Sequence, residues 1–350
     1  MTTFASEPVV VTGGVDTHRD QHVAAALDQL GRLLGTQSFS TTVSGYRHLL
    51  RWLRSFGSVD KVGVEGTGSY GTGLTRHLLE QQVSVVEVSR PNRQVRRRFG
   101  KTDVVDAIAA ARAVQSGEAT ARPKTHDGPV EALRALKAVQ RSANKSRTQA
   151  LNQLHQLLVT APEDLRSRLE SLSRGEMLET CAAFRIRHND DSLAAMTRLS
   201  LRALAQRVLH LDDQLHEVTT RLRRITETVA PNLVAIHGVG PDTAATLLVS
   251  AGDNPQRLGN ERAFAALCGS NPIPASSGKI TRHRLNRGGD RHANAALWRI
   301  VLVRMSHDPR TKAYVARRTA EGRTKPEIMR CLKRYLAREI YSALPITSPG

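Results

Sequence analysis

Cysteine is scarce in this 350-residue chain: Cys181, Cys268 and Cys331 stand far apart, and there are no others. Neither a zinc-ligand spacing nor a disulfide framework fits them, which points to a reducing compartment. Aromatic residues make up only 4%, which argues against a protein that holds single strands by stacking bases on many rings. No apolar run approaches the roughly 18 residues of a membrane span. The opening MTTFASEPVVV has neither a basic start nor a long apolar stretch, so no signal peptide is predicted. Internal repeats and long low-complexity segments are also missing. Acids are outnumbered, 32 against 51 Lys and Arg, for a formal net charge of +19. Such an excess points to a polyanionic partner, most simply nucleic acid. It is spread along the chain instead of lying on one helix, so a membrane surface is the poorer match. Hydrophobic residues reach 40%, enough for a real core in two or three domains.

The first 120 or so residues alternate in period. Strands are predicted over 9–16, 22–28 and 32–40, the last two separated by a turn at Gly31 and the three in sequence suggesting an antiparallel meander. A helix over 44–56 carries Tyr46, Leu49, Leu50 and Leu53 on one face. A strand over 61–65, a helix over 74–82, a strand over 83–88 and helices over 91–99 and 103–116 follow. The order β-β-β-α-β-α-β-α is that of an α/β, ribonuclease-H-like domain, assigned to residues 1–125. Pro123 and Asp127-Gly128-Pro129 read as a linker. A helical region over 126–229 comes next, with a first stripe of Val130, Leu133, Leu136 and Val139. In its second helix Leu201, Leu204, Val208, Leu211, Leu215, Val218, Leu222 and Ile225 step by threes and fours, a coiled-coil seam. The seam fits either a hairpin within one chain or an oligomerisation arm. A mainly α-helical domain is assigned to 230–350. It opens on Ile236-His-Gly-Val-Gly-Pro241, a glycine turn that either presents N–H groups to a phosphate or simply joins two helices. Residues 271–350 hold 17 Lys and Arg against 5 Asp and Glu.

Four carboxylates stand out by position. Asp16 (GVDTH) and Glu65 (VGVEG) close predicted strands, where a buried charge is costly unless paired or bound to metal. Asp103 and Asp106 (KTDVVDA) share one face of a helix start, where acids also serve as caps or meet the helix dipole. In a ribonuclease-H-like sheet the first and fourth strands are neighbours, so the four acids converge. Clustered hard oxygen ligands suit Mg²⁺ or Mn²⁺, and two ions about 4 Å apart can activate a nucleophile and stabilise a leaving oxygen at a phosphodiester. Just upstream, Arg90, Arg93, Arg96, Arg97, Arg98 and Lys101 lie in a stretch without an acid, a candidate clamp on a phosphate backbone.

A second chemical feature is Cys268-Gly-Ser-Asn-Pro-Ile-Pro-Ala-Ser-Ser-Gly-Lys279. Ser276 and Ser277 sit in a loop of small residues, followed closely by Lys279, Arg282, Arg284, Arg287 and Arg291. A serine hydroxyl needs a base or metal to become a nucleophile, and neighbouring guanidinium groups can neutralise a phosphate under attack. Taken alone, a Ser-Ser-Gly segment is ordinarily just a loop.

GVDTH, VGVEGTGSYG and KTDVVDA, then HGVGPDTAATLL, AFAALCGSNPIPASSGK and RGGDRHANAALWR, resemble in that order the DEDD-type transposases of the IS110 group of insertion sequences, relatives of the Piv-type DNA invertases. The resemblance spans essentially the whole chain. It implies a RuvC-like N-terminal domain with Asp16, Glu65, Asp103 and Asp106 as a divalent-metal tetrad. It also implies a C-terminal serine nucleophile that precedes a glycine, hence Ser277 with Ser276 as the alternative, and a covalent phosphoserine link to DNA that makes ATP unnecessary. The partners implied are donor and target DNA, a structured noncoding guide RNA made from the element's own ends, and further copies of the chain, as dimers paired into tetramers. The location implied is the bacterial cytoplasm, at the nucleoid when DNA is bound. Where relatives commonly carry Asn after the glycine, this chain has Gly288-Gly289-Asp290. Three other readings compete with a recombinase: a RuvC-like nuclease using metal-activated water, a non-enzymatic nucleic-acid scaffold, and an actin-like phosphotransferase whose only phosphate-loop candidate is GTGSYG.

Overall fold

The computed structural model describes residues 9–88, 102–276 and 283–345. They divide into two compact units: one runs to Gly128 and takes in Ala251–Phe264, and the other comprises Pro129–Ser250 and Ala265–Pro345. The predicted helix over 91–99 lies outside the described residues.

The first unit is built on a five-stranded mixed sheet. Strands β1 (Val10–Thr17), β2 (Gln21–Leu27) and β3 (Leu33–Ser40) form the expected antiparallel meander. Helix α1 (Val43–Phe56) follows, capped by the Thr42 side chain. Strand β4 (Ser58–Glu65), helix α2 (Thr72–Glu80) and strand β5 (Ser84–Val88) come next, with β4 parallel to both β1 and β5. The spatial order is β3-β2-β1-β4-β5, which makes the first and fourth strands neighbours, as the ribonuclease-H-like reading requires. Strand β4 starts at Ser58, three residues before the apolar run that signals it, because its outer half is exposed.

Alternation along β1 decides which side chain meets which helix. Val11 and Val15 face the core that Leu49, Leu50 and Leu53 of α1 and Leu74 and Leu78 of α2 fill; each buried leucine contributes about 1.5–3 kcal/mol. Gly13 shares that face, with Leu53 Cδ1 only 3.1 Å from where its Cβ would be. Gly14 faces the other way, onto helix α3 (Asp103–Gln115). A Cβ at Gly14 would lie 2.2 Å from the backbone nitrogen of Ala111, and one at Gly63 would lie 2.9 Å from the Ala110 carbonyl. These two glycines and the alanines of α3 let the helix lie directly on β1 and β4.

The predicted linker is held down. Ala121 bridges to Glu87. Downstream, Asn254 Nδ2 donates to the Pro123 carbonyl (3.0 Å), Asn254 Oδ1 accepts from the Thr125 amide (3.4 Å), and Arg257 Nη1 donates to the Arg122 carbonyl (3.2 Å).

In the second unit, helices α4 (Pro129–Val159) and α7 (Leu193–Val229) pack antiparallel. Gln140 reaches Thr219, and Arg147 pairs with Asp212. Thus α7's seam has a partner within the same chain, the hairpin reading. Leu201, Val208, Leu211, Val218 and Leu222 are buried as predicted, whereas Leu204, Leu215 and Ile225 are only half-buried and Ala205 and Thr226 take the inner places. A straight helix of 3.6 residues per turn drifts off a strict heptad, which shifts the buried line in this way. Between them α5 (Glu163–Glu170) and α6 (Arg174–Ala182) close one end with Leu165, Leu169, Leu178 and Cys181. Beyond α8 (Pro231–Val234) and α9 (Pro241–Ala251), helix α10 (Glu261–Leu267) leads to a short hairpin of β6 (Ile273–Pro274) and β7 (His283–Arg284), then to α11 (Arg291–His307), α12 (Pro309–Ala320) and α13 (Lys325–Ala343). Arg304 of α11 grips Glu339 of α13 through two bonds of 2.8 and 2.9 Å. No helix among the described residues is long and apolar enough to cross a membrane.

Candidate active site

Two of the four predicted acids are placed by the same alternation. Asp16 is two residues from Gly14 and Glu65 two from Gly63, so both belong to the face of the sheet on which α3 lies. They stand at the carboxyl ends of neighbouring parallel strands, one step past the Val15–Val64 pair. The Thr17 hydroxyl donates to the Glu65 carbonyl at 2.7 Å and ties those ends together. Helix α3 begins above them: the Thr102 hydroxyl caps it through the Val105 amide, and Asp103 and Asp106 fall in its first turn. Asp16 is 7% exposed and Asp106 2%, whereas Asp103 is open to solvent.

Asp16 and Asp103 come together around a residue that the sequence reading missed. His18 Nε2 lies 3.1 Å from Asp16 Oδ2 and 3.2 Å from Asp103 Oδ1. Ligand atoms of the three lie within 4.8 Å of one another, a geometry able to hold a metal ion. Asp106 is close enough to act on Asp16 electrostatically; neither it nor Glu65 is in the three-residue ligand group. The period-2 spacing Asp16-x-His18 was the available signal. Burial pushes the pKa of Asp16 above the usual carboxylate value; His18 opposes that shift, and Asp106 and Asp103 add to it. Crowded carboxylates of this kind are relieved by a bound cation. The donor set of carboxylate oxygens with one imidazole therefore fits a divalent ion. GTGSYG is a closed turn, with the Ser69 and Gly71 amides bonded to the Gly66 carbonyl, which disfavours the phosphotransferase reading.

The serine segment belongs to the second unit. Arg90, Arg93, Arg96, Arg97, Arg98, Lys101, Ser277, Lys279 and Arg282 lie outside the described residues. Ser276, Arg284, Arg287 and Arg291 are exposed. The motifs on either side fasten the roots of the β6–β7 hairpin. Asn294 Nδ2 donates to the carbonyls of Cys268 (2.7 Å) and Gly269 (3.1 Å), and its Oδ1 accepts from buried Lys333 (2.9 Å). Asn286 Nδ2 donates to Asn271 Oδ1 at 2.6 Å. Gly289, at φ +83°, could carry no side chain, because a Cβ there would sit 2.6 Å from the Leu267 carbonyl oxygen. Asp290 caps α11 through the His292 and Ala293 amides and accepts from the Ser250 hydroxyl at 2.6 Å. Burial raises its pKa, but these bonds outweigh that and hold it below the usual range. Asn and Asp cap helices equally well, which accounts for the Asp at this position. Cys268 is fully buried and its thiol is pushed far up by burial, so it is no nucleophile.

The glycine turn before α9 is a helix connection. Thr243 Oγ1 accepts the Gly240 N–H at 3.1 Å, and Asp242 places a carboxylate at the helix start. Asp242 is answered by buried Lys137 at 2.6 Å and by Arg299 at 3.4 Å, so that turn does not suit an anion.

Comparison with known proteins adds the following. Residues 13–161 match a family model for DEDD-type IS110 elements, described as Transposase, and residues 230–316 match one described as Transposase IS116/IS110/IS902 family. An uncharacterized 43.6 kDa protein of insertion element IS110 from Streptomyces coelicolor is 28% identical over 145 residues, 41% of this chain and 36% of its own. A protein from the same organism, named as a candidate mini-circle transposase for IS117, is 24% identical over 375 residues, covering 90% of this chain and 89% of its own. The chain thus spans about a third of the length of the first relative and most of the second.

Proposed function

We propose that the chain is a transposase of the IS110/IS116 family, whose models match it at both ends, and that it cuts and rejoins DNA for an insertion sequence. The observation that carries the proposal is the meeting of Asp16 and Asp103 around His18, beside Asp106 and at the strand end that bears Glu65. Asp16, Glu65, Asp103 and Asp106 act as the tetrad of a RuvC-like centre over residues 1–125 and would hold Mg²⁺ or Mn²⁺. When bound, such ions supply charge neutralisation at the scissile phosphate. His18 orients two of the carboxylates. Ser277, with Ser276 as the alternative, is the nucleophile of the domain over 230–350. Its hydroxyl oxygen replaces one ester oxygen of a phosphodiester, its proton passes to solvent, and the released ester oxygen takes a proton from solvent and leaves as a DNA hydroxyl end. The number of phosphate ester bonds is conserved, so rejoining needs no ATP. Arg284, Arg287 and Arg291, with Lys279 and Arg282, offer charge to the phosphate under attack. Arg90, Arg93, Arg96, Arg97, Arg98 and Lys101 clamp the backbone. A structured noncoding RNA guides the choice of donor and target DNA, the active assembly is a dimer paired into a tetramer, and the protein works in the cytoplasm at the nucleoid.

The second reading, a metal-dependent nuclease using activated water, draws on the fact that the acid cluster lies wholly within one unit. The test uses RNA copurified with the protein, donor and target DNA, and Mg²⁺. The expected result is a covalent protein–DNA adduct and strand transfer, both lost in Ser277→Ala and in Asp16→Asn. Intact metal-dependent cutting in Ser277→Ala and Ser276→Ala, with no adduct, establishes the nuclease instead.

A further inference from the structure

Behind the β6–β7 hairpin, within the second unit, lies a cleft of about 690 Å³ walled by the hairpin roots and by helices α12 and α13. Its cations come from four separate pieces of chain: Arg284 on β7, Arg318 on α12, where it pairs with Glu321, Arg323 between α12 and α13, and Arg330, Lys333 and Arg334 on α13. The helical spacing of α13 explains why they converge. Ile328, Met329, Leu336, Ala337 and Ile340 turn inward, while Arg330, Arg334 and Tyr335 line the cleft. The one acid among the lining residues, Glu327, is spent on the helix start: it accepts from the Thr324 amide at 2.9 Å and hydroxyl at 2.8 Å. Tyr335 is 56% exposed and its ring is braced edge-on by Tyr314 at 6.0 Å. Tyr70 and Trp298 are exposed too, but of the three only Tyr335 lines this cleft, among guanidinium groups.

Guanidinium groups bind phosphate oxygens, and an exposed ring binds the face of an unpaired base. In duplex DNA the bases are already stacked, so a lone ring in a cleft gains nothing from them. We propose that this cleft seats an unpaired nucleotide of the DNA strand handled at the neighbouring serine segment, its phosphate on Arg330 and Arg334 and its base on Tyr335. The choice of DNA over RNA rests on the proposed function, because the cleft walls are the roots of the hairpin that carries Ser276 and Ser277.

The test is binding by the full-length protein in the presence of a chelator, so no strand cleavage is required. The probes are a fluorescent oligothymidylate, its duplex with oligodeoxyadenylate, and oligouridylate. Tyr335→Ala is expected to weaken oligothymidylate binding about tenfold, with the salt slope unchanged. Tyr335→Phe should bind like the parent, which separates stacking from a folding defect. Arg330→Ala and Arg334→Ala should each lower the salt slope by about 0.7. Photocrosslinking of a bromouracil-substituted strand should map to Tyr335. Undiminished binding by Tyr335→Ala, crosslinks elsewhere only, equal loss of duplex binding, or tighter binding of oligouridylate would overturn the proposal. Binding is read without cleavage or adduct formation, so absence of an adduct in the earlier experiment leaves this result standing, and the reverse also holds.

Discussion

His22 shows what a single buried side chain imposes. It is fully buried on β2 and lies parallel to the Tyr46 ring at 5.8 Å. Burial pushes its pKa down to about 4. The unfolded chain takes up this proton near pH 6.5 and the folded chain only near pH 4, so protonation favours unfolding throughout that window. Stability is therefore expected to fall as pH drops from 6.5 to 4, by about 3 kcal/mol from this residue alone. Urea unfolding over a pH series checks this: His22→Phe should flatten the decline, and an unchanged slope would refute it. At this scale the sequence was informative where chemistry contradicts its surroundings. Asp16 and Glu65 interrupt apolar strands, and the structure sets both at strand ends on one face. His18 escaped notice because a histidine beside an acid carries no such contradiction. Of the cleft arginines Arg284 stood out in the sequence, whereas Arg318, Arg330 and Arg334 did not, because residues of two helices and a strand root meet only in three dimensions.

Among elements, the seating of α3 matters most, and two glycines decide it. Gly14→Ala would drive a methyl group to 2.2 Å from the Ala111 nitrogen and 2.3 Å from the Ala107 carbonyl, backbone atoms with nowhere to go. The helix must lift and take Asp103 and Asp106 with it. A loss of about 1–3 kcal/mol in urea stability is expected, together with weaker Mn²⁺ binding by calorimetry. Gly13→Ala meets side chains and no backbone, Leu53 Cδ1 at 3.1 Å and Val62 Cγ2 at 3.2 Å on the face away from α3, and should retain Mn²⁺ binding; if both variants bind alike, the seating of α3 does not set the site. The elements themselves were legible, with β1 to β5, α1, α2 and α3 within a few residues of their predicted bounds, because period and capping residues are local. The partner of the α7 seam was not, since a heptad records that an apolar stripe is covered without recording by which helix.

For the whole molecule, the net charge of +19 and the basic final quarter set the affinity for nucleic acid. If six or more phosphates are neutralised, duplex binding should fall about a thousandfold between about 50 and 200 mM salt; a flat salt dependence in fluorescence anisotropy would contradict that footprint. The least legible feature was the allocation of chain to units. Nothing local in Ala251–Phe264 announces that it completes the acid-bearing unit, yet Asn254 and Arg257 fasten Arg122, Pro123 and Thr125. The order of synthesis turns that clasp into a timer. The N-terminal portion emerges from the ribosome with its flank bare, and the fastening arrives only after the long intervening helices have been translated. A transcript truncated ahead of Asn254 therefore yields a fragment without its closing stitch, so the acid-bearing unit reaches its native stability only in chains that extend past the helical region.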